Sequence, residues 1–339
     1  MPIEIVPVTP PEYAATEDRL RALLATDHDV VVLQGEAVLP LEAAARALAR
    51  PGARAVNVVT SPYGAVVGGW LRDGGVDVHD VSVPFDRAVA AGAVAGLLET
   101  HAPVDVVSLV HAEAASGALN PLAEIAAAAR GAGALVVVDA VASFGADAVP
   151  LDDVDIVVVS AQKALAGPTG VSAAVVSDRA WSWIDANPAA PRRSILSLLD
   201  WRDRWLRDGR QTLPVIPHHV ELRLFDEALA EAIAAGGLDA VVARHRVAAE
   251  VARQGLAELE LAPWIAEPEQ RSNVTTTFRP PGGVSVPELL DAVGPGTILG
   301  AAPAAPEHAL RLVHAGVRAT PGDVTDALEA LRRALSPRR

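Results

Sequence analysis

The sequence predicts an α/β protein: a large domain built on a mostly parallel sheet with one antiparallel strand, followed by a smaller carboxyl-terminal α+β domain. Three observations lead there. Valine-rich runs bounded by turn residues alternate with alanine-rich stretches of helix length through the first half of the 339 residues. Most links between runs are long enough for the crossover helix that parallel strands require. One link, GPTG at 167–170, is far too short, so the runs at 154–160 and 171–177 pair antiparallel.

The candidate strands, in order, are VVVL (30–33), AVNVV (55–59), VDVHDV (76–81), VDVVSLV (104–110), ALVVVD (134–139), VDIVVVS (154–160) and VSAAVVS (171–177). The connection NPLAEIAAAARGAG illustrates the helices between them. Asn120 can cap, Pro121 suits the first turn, Leu122, Ile125, Ala126 and Ala129 share one face, and Gly131 stops the helix. Past about residue 178 the composition shifts, and Trp181, Trp183, Trp201 and Trp205 supply four of the six tryptophans, which we read as core or subunit-interface packing. A long helical pattern from about 218 to 258 is broken by AGG at 235–237. A strand at SNVTTTF (272–278), a helix near 286–293, a strand at ALRLV (309–313) and a last helix from about 321 to 335 follow. The resulting division is an amino-terminal arm at 1–15, a large domain at 16–236 and a small domain at 237–339.

Composition narrows the function. Forty-two acidic residues against 28 Lys+Arg give a net charge of -14, and no basic run is interleaved with aromatics, which argues against nucleic acid and anionic membranes as partners. Cysteine is absent, which removes disulfides, thiol chemistry and cysteine-based zinc sites. The opening MPIEIVPVTPPEY lacks the pattern of a signal peptide, and no apolar run reaches the ~20 residues of a membrane span. A cytoplasmic protein is the expectation. His111, His218 and His219 have no accompanying carboxylate spacing and read as structural or interface residues rather than metal ligands.

Three features fall at the carboxyl ends of parallel strands, where such folds bind ligands. Asp139 ends LVVVD; as a bland feature it would cap the next turn. Lys163 stands alone after IVVV, with no charged neighbour for seven residues on either side. QGEAVLPLEAAARAL passes from a strand end through Gly35 into a helix whose amides could hold a phosphate. Together they fit one chemistry: a lysine amine forms a Schiff base with an aldehyde cofactor, and a neighbouring aspartate keeps a pyridine nitrogen protonated so that the ring withdraws electrons. These are the parts of a pyridoxal 5'-phosphate site.

At these residues the chain also resembles a known family. VVVDAVASFGADAVPLDDVDIVVVSAQKALAGPTGVSAAVVSDRAW is similar to the central block of the alanine-glyoxylate and serine-pyruvate aminotransferases, class V members of the fold-type I pyridoxal-phosphate enzymes. Weaker similarity runs through GEAVLPLEAAARAL, HAEAASGALNPL, LPVIPHHVELRLFDEAL and ALRLV. The resemblance implies that Lys163 bonds the cofactor aldehyde, Asp139 pairs with the pyridine nitrogen, Val141 packs on one ring face and Tyr63 on the other. It implies that Gly35, Glu36 and Ala37 form the phosphate turn, with Gln162 and, from a second subunit, Thr212 also reaching the phosphate. Arg311 matches the arginine that holds the substrate carboxylate, and a homodimer follows from the shared site.

The pattern departs in four places. The family's glycine-proline-rich amino-terminal segment is replaced by MPIEIVPVTPPEY, and Glu36 brings a carboxylate to a turn where relatives carry small, hydroxyl or imidazole side chains. Ala114 and Ala115 replace hydroxyl residues, and the loop before Arg311 reads GAAPAAPEHALR. The resulting expectation is an aminotransferase for a small alanine- or serine-like amino acid and a small glyoxylate- or pyruvate-like 2-oxo acid. Its rivals are a lyase or decarboxylase on the same fold, and a degenerate relative that binds without turnover.

Overall fold

The computed structural model describes residues 6–336. The first element is a helix, α1 (Pro10–Leu23), started by a capping box in which Thr9 and Glu12 bond each other's backbone amides, with proline in the first turn. Residues 1–5 of the expected arm lie outside the described residues; from Pro10 the rest is packed helix. Tyr13 is fully buried, donates its hydroxyl to the Val32 carbonyl at 2.5 Å, stacks on Trp201 and meets Trp205 edge-on. Trp201 and Trp205 are thus core residues, as their bland reading required.

The large sheet is assembled from β1 (Asp29–Gln34), β2 (Arg54–Val59), β3 (Asp77–Ser82), β4 (Val106–Val110), β5 (Leu135–Asp139), β6 (Ile156–Val159) and β7 (Val171–Val176). Helices α2 (Val38–Leu48), α3 (Pro62–Asp73), α4 (Ala91–Thr100) and α5 (Leu122–Gly131) make the crossovers among the first five. The strand order is β1-β7-β6-β5-β4-β2-β3. β7 runs against both its neighbours, while β2, β3, β4, β5 and β6 pair in parallel. All strands but β7 therefore point the same way, and their carboxyl ends line one edge.

β4, β5, β6 and β7 are buried along every residue, which is why they read as unbroken apolar runs. Each fully buried valine contributes about 1.5–3 kcal/mol. One polar pin crosses this core. Buried Asn57 on β2 donates to the Gly64 carbonyl and to Asp80, and accepts from Ser108, so strand, crossover helix and neighbouring strands share one hydrogen-bonded node.

After β7 come α6 (Asp178–Asp185), α7 (Leu198–Trp201), α8 (His219–Ala234) and α9 (Gly237–Glu258). The last two are separated at the AGG break, where Gly236 adopts a left-handed conformation. A second core gathers around β8 (Thr276–Phe278), α10 (Val286–Val293), β9 (Leu299–Ala301), β10 (Leu310–Leu312) and α11 (Pro321–Leu335), with the three strands in antiparallel order β8-β10-β9. α9 serves both cores: Val241 packs in the first, Ala248, Ala252 and Leu256 in the second.

Two expectations change here and one strand was not foreseen. Asn120 does not cap α5: its side chain accepts from the Val89 amide and donates to Thr60 Oγ1 and the Val110 carbonyl instead. The strand at 272–278 shortens to Thr276–Phe278, because Ser272 and Asn273 turn aside to bond the buried carboxylate of Asp147. The strand β9, short and glycine-containing, carried no alternation to announce it.

Glu17 on α1 is a fully buried acid whose Oε2 accepts from Trp205 Nε1 at 2.8 Å and lies 3.6 Å from Arg210 Nε. Burial pushes its pKa up to about 7, with Trp205 and Arg210 opposing. An acid raised in the folded state contributes stability that is full below its unfolded value and lost as pH rises through about 7. Glu17→Gln is therefore expected to stabilise the protein by about 2–3 kcal/mol near pH 8, and the gain should shrink as pH falls toward the unfolded carboxyl value. Calorimetric unfolding at both pH values checks this; an equal gain at both would exclude ionisation as the cause.

Candidate active site

Five strand ends supply one cavity of about 250 Å³. Glu36 and Ala37 follow β1, Tyr63 opens α3 after β2, Ala112 to Ala115 follow β4, Asp139 ends β5, and Gln162 and Lys163 follow β6. Arg311 on β10 and Pro303 close it from the second core. The arrangement follows from the parallel sheet, whose aligned carboxyl ends leave a crevice that the second core covers.

Asp139 forms the floor. It is buried, and its Oδ1 accepts from the Val141 amide at 2.9 Å. Burial raises its pKa, while the charge of Lys163 and the Val141 amide oppose the shift. Ala37, Leu41, Val141 and Val158 form a small apolar cluster beside it, with Trp70 packed against them. The Lys163 loop is tied back by Gly167, whose amide donates to Ala161 O at 2.8 Å. Gly316 leans on it from the second core; its φ is +60, and a Cβ there would lie 2.9 Å from the Lys163 carbonyl. Only glycine permits that approach.

At the mouth, Tyr63 is 54% exposed. The Arg311 Nη1 donates to Ala114 O at 2.5 Å, and its Nε is buried without a partner among the described residues. Burial lowers the Arg311 pKa. A half-buried guanidinium with an unused donor is suited to a carboxylate.

The turn at Gly35 has an unexpected occupant. Ala37, the residue capping α2, offers no side-chain acceptor, and Glu36 takes over: its Oε2 accepts from the Val38 amide at 2.8 Å, and its Oε1 from Gln162 Nε2 at 2.8 Å. The Gly35 carbonyl accepts from Ser172 Oγ at 2.7 Å, tying the turn to β7. The amide and glutamine that the resemblance assigned to a phosphate thus already hold an anion. Thr212 is exposed and is not part of this cavity within one chain.

Sequence reasoning passed over Glu113. It is fully buried on the cavity wall, accepts from Thr60 Oγ1 at 2.7 Å, and has its pKa raised to about 7 by burial, with Thr60 and Ser61 opposing. Its position just beyond a strand end was the available signal. His111 is buried, its amide donating to Asp139 O; burial lowers its pKa to about 4, so the imidazole is neutral.

The model of the family described as aminotransferase class V matches residues 10–322. The chain belongs to the class V aminotransferases. It is 34% identical over 336 residues to a pyridoxamine–pyruvate transaminase of Mesorhizobium japonicum, covering 96% of this chain and 83% of the relative. It is 29% identical over 250 residues to the alanine–glyoxylate aminotransferase of Drosophila melanogaster, 72% of this chain and 62% of the relative. The crystal structure of pyridoxamine-pyruvate aminotransferase from Mesorhizobium loti superposes with a TM-score of 0.88 at 33% identity, covering 97% of this chain and 84% of that one. The fold is that of its class V neighbours, and the protein is an aminotransferase working with pyridoxal chemistry.

Pyridoxal 5'-phosphate is the cofactor of this family, and its two ends meet different fits here. Lys163, Asp139, Val141 and Tyr63 form the surroundings a pyridine aldehyde needs. At the other end a phosphate dianion would meet the Glu36 carboxylate on the same donors. Two unit charges about 4 Å apart repel by roughly 1–4 kcal/mol between bulk water and a protein surface, so a phosphate in that turn would compete with the exposed Glu36 carboxylate for the same donors. No helix among the described residues is long and apolar enough to cross a membrane.

Glu113→Gln tests the buried acid directly. The kcat/KM profile of the unsubstituted enzyme should bend near pH 7, where Glu113 ionises, and the variant should lose that bend. An unchanged profile would remove Glu113 from the reaction.

Proposed function

We propose that this aminotransferase takes its amino group from pyridoxamine, the phosphate-free vitamin amine, and passes it to pyruvate or an equally small 2-oxo acid, releasing pyridoxal and the amino acid. The observation that carries this reading is Glu36, whose carboxylate occupies the α2 amide and the Gln162 amide that a phosphate would need. The activity for which the relative at 34% identity is named agrees with it.

In this reading each side chain has a definite task. Asp139 holds a proton on the ring nitrogen, and Glu36 accepts from the ring's hydroxymethyl group while Gln162 steadies the glutamate. Val141 and Tyr63 cover the two ring faces. Lys163 binds the ring's aldehyde carbon and, when free, carries the proton between that carbon and the α-carbon of the acid. Arg311, braced by Ala114 O, grips the carboxylate of the 2-oxo acid. The ring itself supplies an electron sink. Ala114 and Ala115 leave the wall beside it free of hydroxyl groups.

A second reading keeps pyridoxal 5'-phosphate resident, with alanine or serine as donor. The exposure of Glu36 favours it, since an exposed carboxylate can swing into solvent. Initial rates decide between them. Pyridoxamine with pyruvate should give pyridoxal and alanine in equal amounts, with kcat/KM at least ~100-fold above that for pyridoxamine phosphate, a difference of about 2.7 kcal/mol. Glu36→Ala should narrow that ratio, and Lys163→Ala should yield no product. Tightly bound phosphate ester, converted to its amine form by alanine alone and dependent on Lys163, would establish the second reading instead.

The assembly we propose is a cytoplasmic homodimer. Ile216, Ile195 and Val215 are 96%, 64% and 42% exposed around a groove whose wall includes Trp201 and Leu33, on the segment that carries Thr212. Apolar exposure of this density marks a surface that is covered. Ile216→Asp is expected to sediment as a monomer and to lose activity; an unaltered dimer would place the interface elsewhere.

A further inference from the structure

Outside the active site, a cavity of about 100 Å³ lies between the carboxyl half of α9, the segment 261–265 beside β8, and the turn at Gly117. Its walls join two chemistries. Leu256, Leu261 and Ile265 make one side apolar, while Arg253, Arg271 and Thr277 face it from the other.

The polar side is short of partners. Arg253 Nη2 donates to the Ser272 carbonyl at 2.8 Å, to the Arg271 carbonyl and to Asn273 Oδ1, but its Nε is buried with no partner. Among the described residues the Arg271 guanidinium donates only to the carbonyls of Ile265 and Ala266. Neither arginine makes an ion pair with a carboxylate among the described residues, although the chain carries a net charge of -14 and most of its arginines are paired. Asp147, whose charge reaches Arg253, is engaged by Ser272 and Asn273 instead. Thr277 is 5% exposed and its hydroxyl also lacks a partner; a Cβ on Gly117 would lie 3.2 Å from that oxygen. Two guanidinium groups without an ion pair and an idle hydroxyl thus line one void, and an anion there would satisfy donors that the chain leaves unused.

We propose that this cavity is a second ligand site, separate from the active site, for a small organic monocarboxylate. Its carboxylate meets Arg253, Arg271 and the Thr277 hydroxyl, and its short chain lies on Leu256, Leu261 and Ile265. The volume is a little over three times a water molecule's share of liquid space, about 30 Å³, which is the size of a short-chain acid.

The site is wired to the reaction centre. Gly117, with φ of +81, closes a turn in which its amide donates to Glu113 O at 2.7 Å and the Glu113 amide to Ala118 O at 2.8 Å. Ser272 N donates to Gly117 O at 2.9 Å, so the arginine segment and the turn move together. The same turn presents Glu113, Ala114 and Ala115 to the active cavity, and Thr277 is the cross-strand partner of Arg311. A carboxylate bound here stiffens the support of Arg311 and should lower KM for the 2-oxo acid more than it changes kcat.

The test uses propionate and the Arg311→Ala enzyme, which removes carboxylate binding in the active site. Titration calorimetry should find one saturable site per chain, weakened about tenfold or more by adding Arg271→Met or the near-isosteric Thr277→Val. Affinity should rise from acetate to butyrate and fall for hexanoate, which exceeds the cavity. Absence of saturable binding, equal affinity in all three backgrounds, or displacement by equimolar chloride would each overturn the proposal. Thermal midpoints without ligand identify a variant that fails to fold, and the chain-length series on Arg311→Ala alone then decides the matter.

Discussion

The catalytic half of this protein depends on one constraint: Asp139 is a carboxylate buried at the end of a strand that has no other polar residue. Burial disfavours its charge, and the amine of Lys163 on the neighbouring strand end opposes that effect. Because β5 and β6 pair in parallel, with Asp139 opposite Val158, the two groups reach the same edge from adjacent strands. Everything else around the cavity is arranged on that pair. The apolar patch of Val141 and Leu41 keeps water from the carboxylate, and Glu113, a second buried acid, adds a charge that both groups feel.

The opposite end of the cavity follows a different rule. A helix amino terminus with an alanine cap leaves amides that need an acceptor, and in this chain the acceptor is covalently part of the turn. Glu36 thereby acts as an internal anion, with Gln162 as its second donor. The same fold feature that captures a phosphate in other proteins is here self-satisfied. Any ligand group that enters this turn must share the Val38 amide and the Gln162 side chain with Glu36.

Much of this was legible in one dimension. The unbroken valine runs of β4 to β7 reported burial on both faces, and the link between β6 and β7, eleven residues ending in GPTG, left no room for a crossover helix and so implied their antiparallel pairing. Asp139 and Lys163 stood out because polar groups at the ends of apolar runs have few structural reasons to be there. Glu36 was visible as a departure, yet its repulsion of a phosphate hinged on which way it pointed. Glu113 was missed, since nothing local distinguishes a buried acid from a solvated one beyond a strand end. Thr212 was named for a role across an interface, and within one chain it lies on an exposed segment.

The sequence by itself determined the elements, the direction of the strands and the chemical identity of the Asp139 and Lys163 side chains at the strand ends, because these rest on periodicity, link length and covalent structure. Tertiary structure alone decided which groups share a cavity: that Arg311 is braced by Ala114 O, that Glu113 is buried with a raised pKa, and that Arg253 and Arg271 line one void that no carboxylate among the described residues enters. Those outcomes depend on distances between residues far apart in the chain and on the exclusion of water, neither of which local sequence encodes.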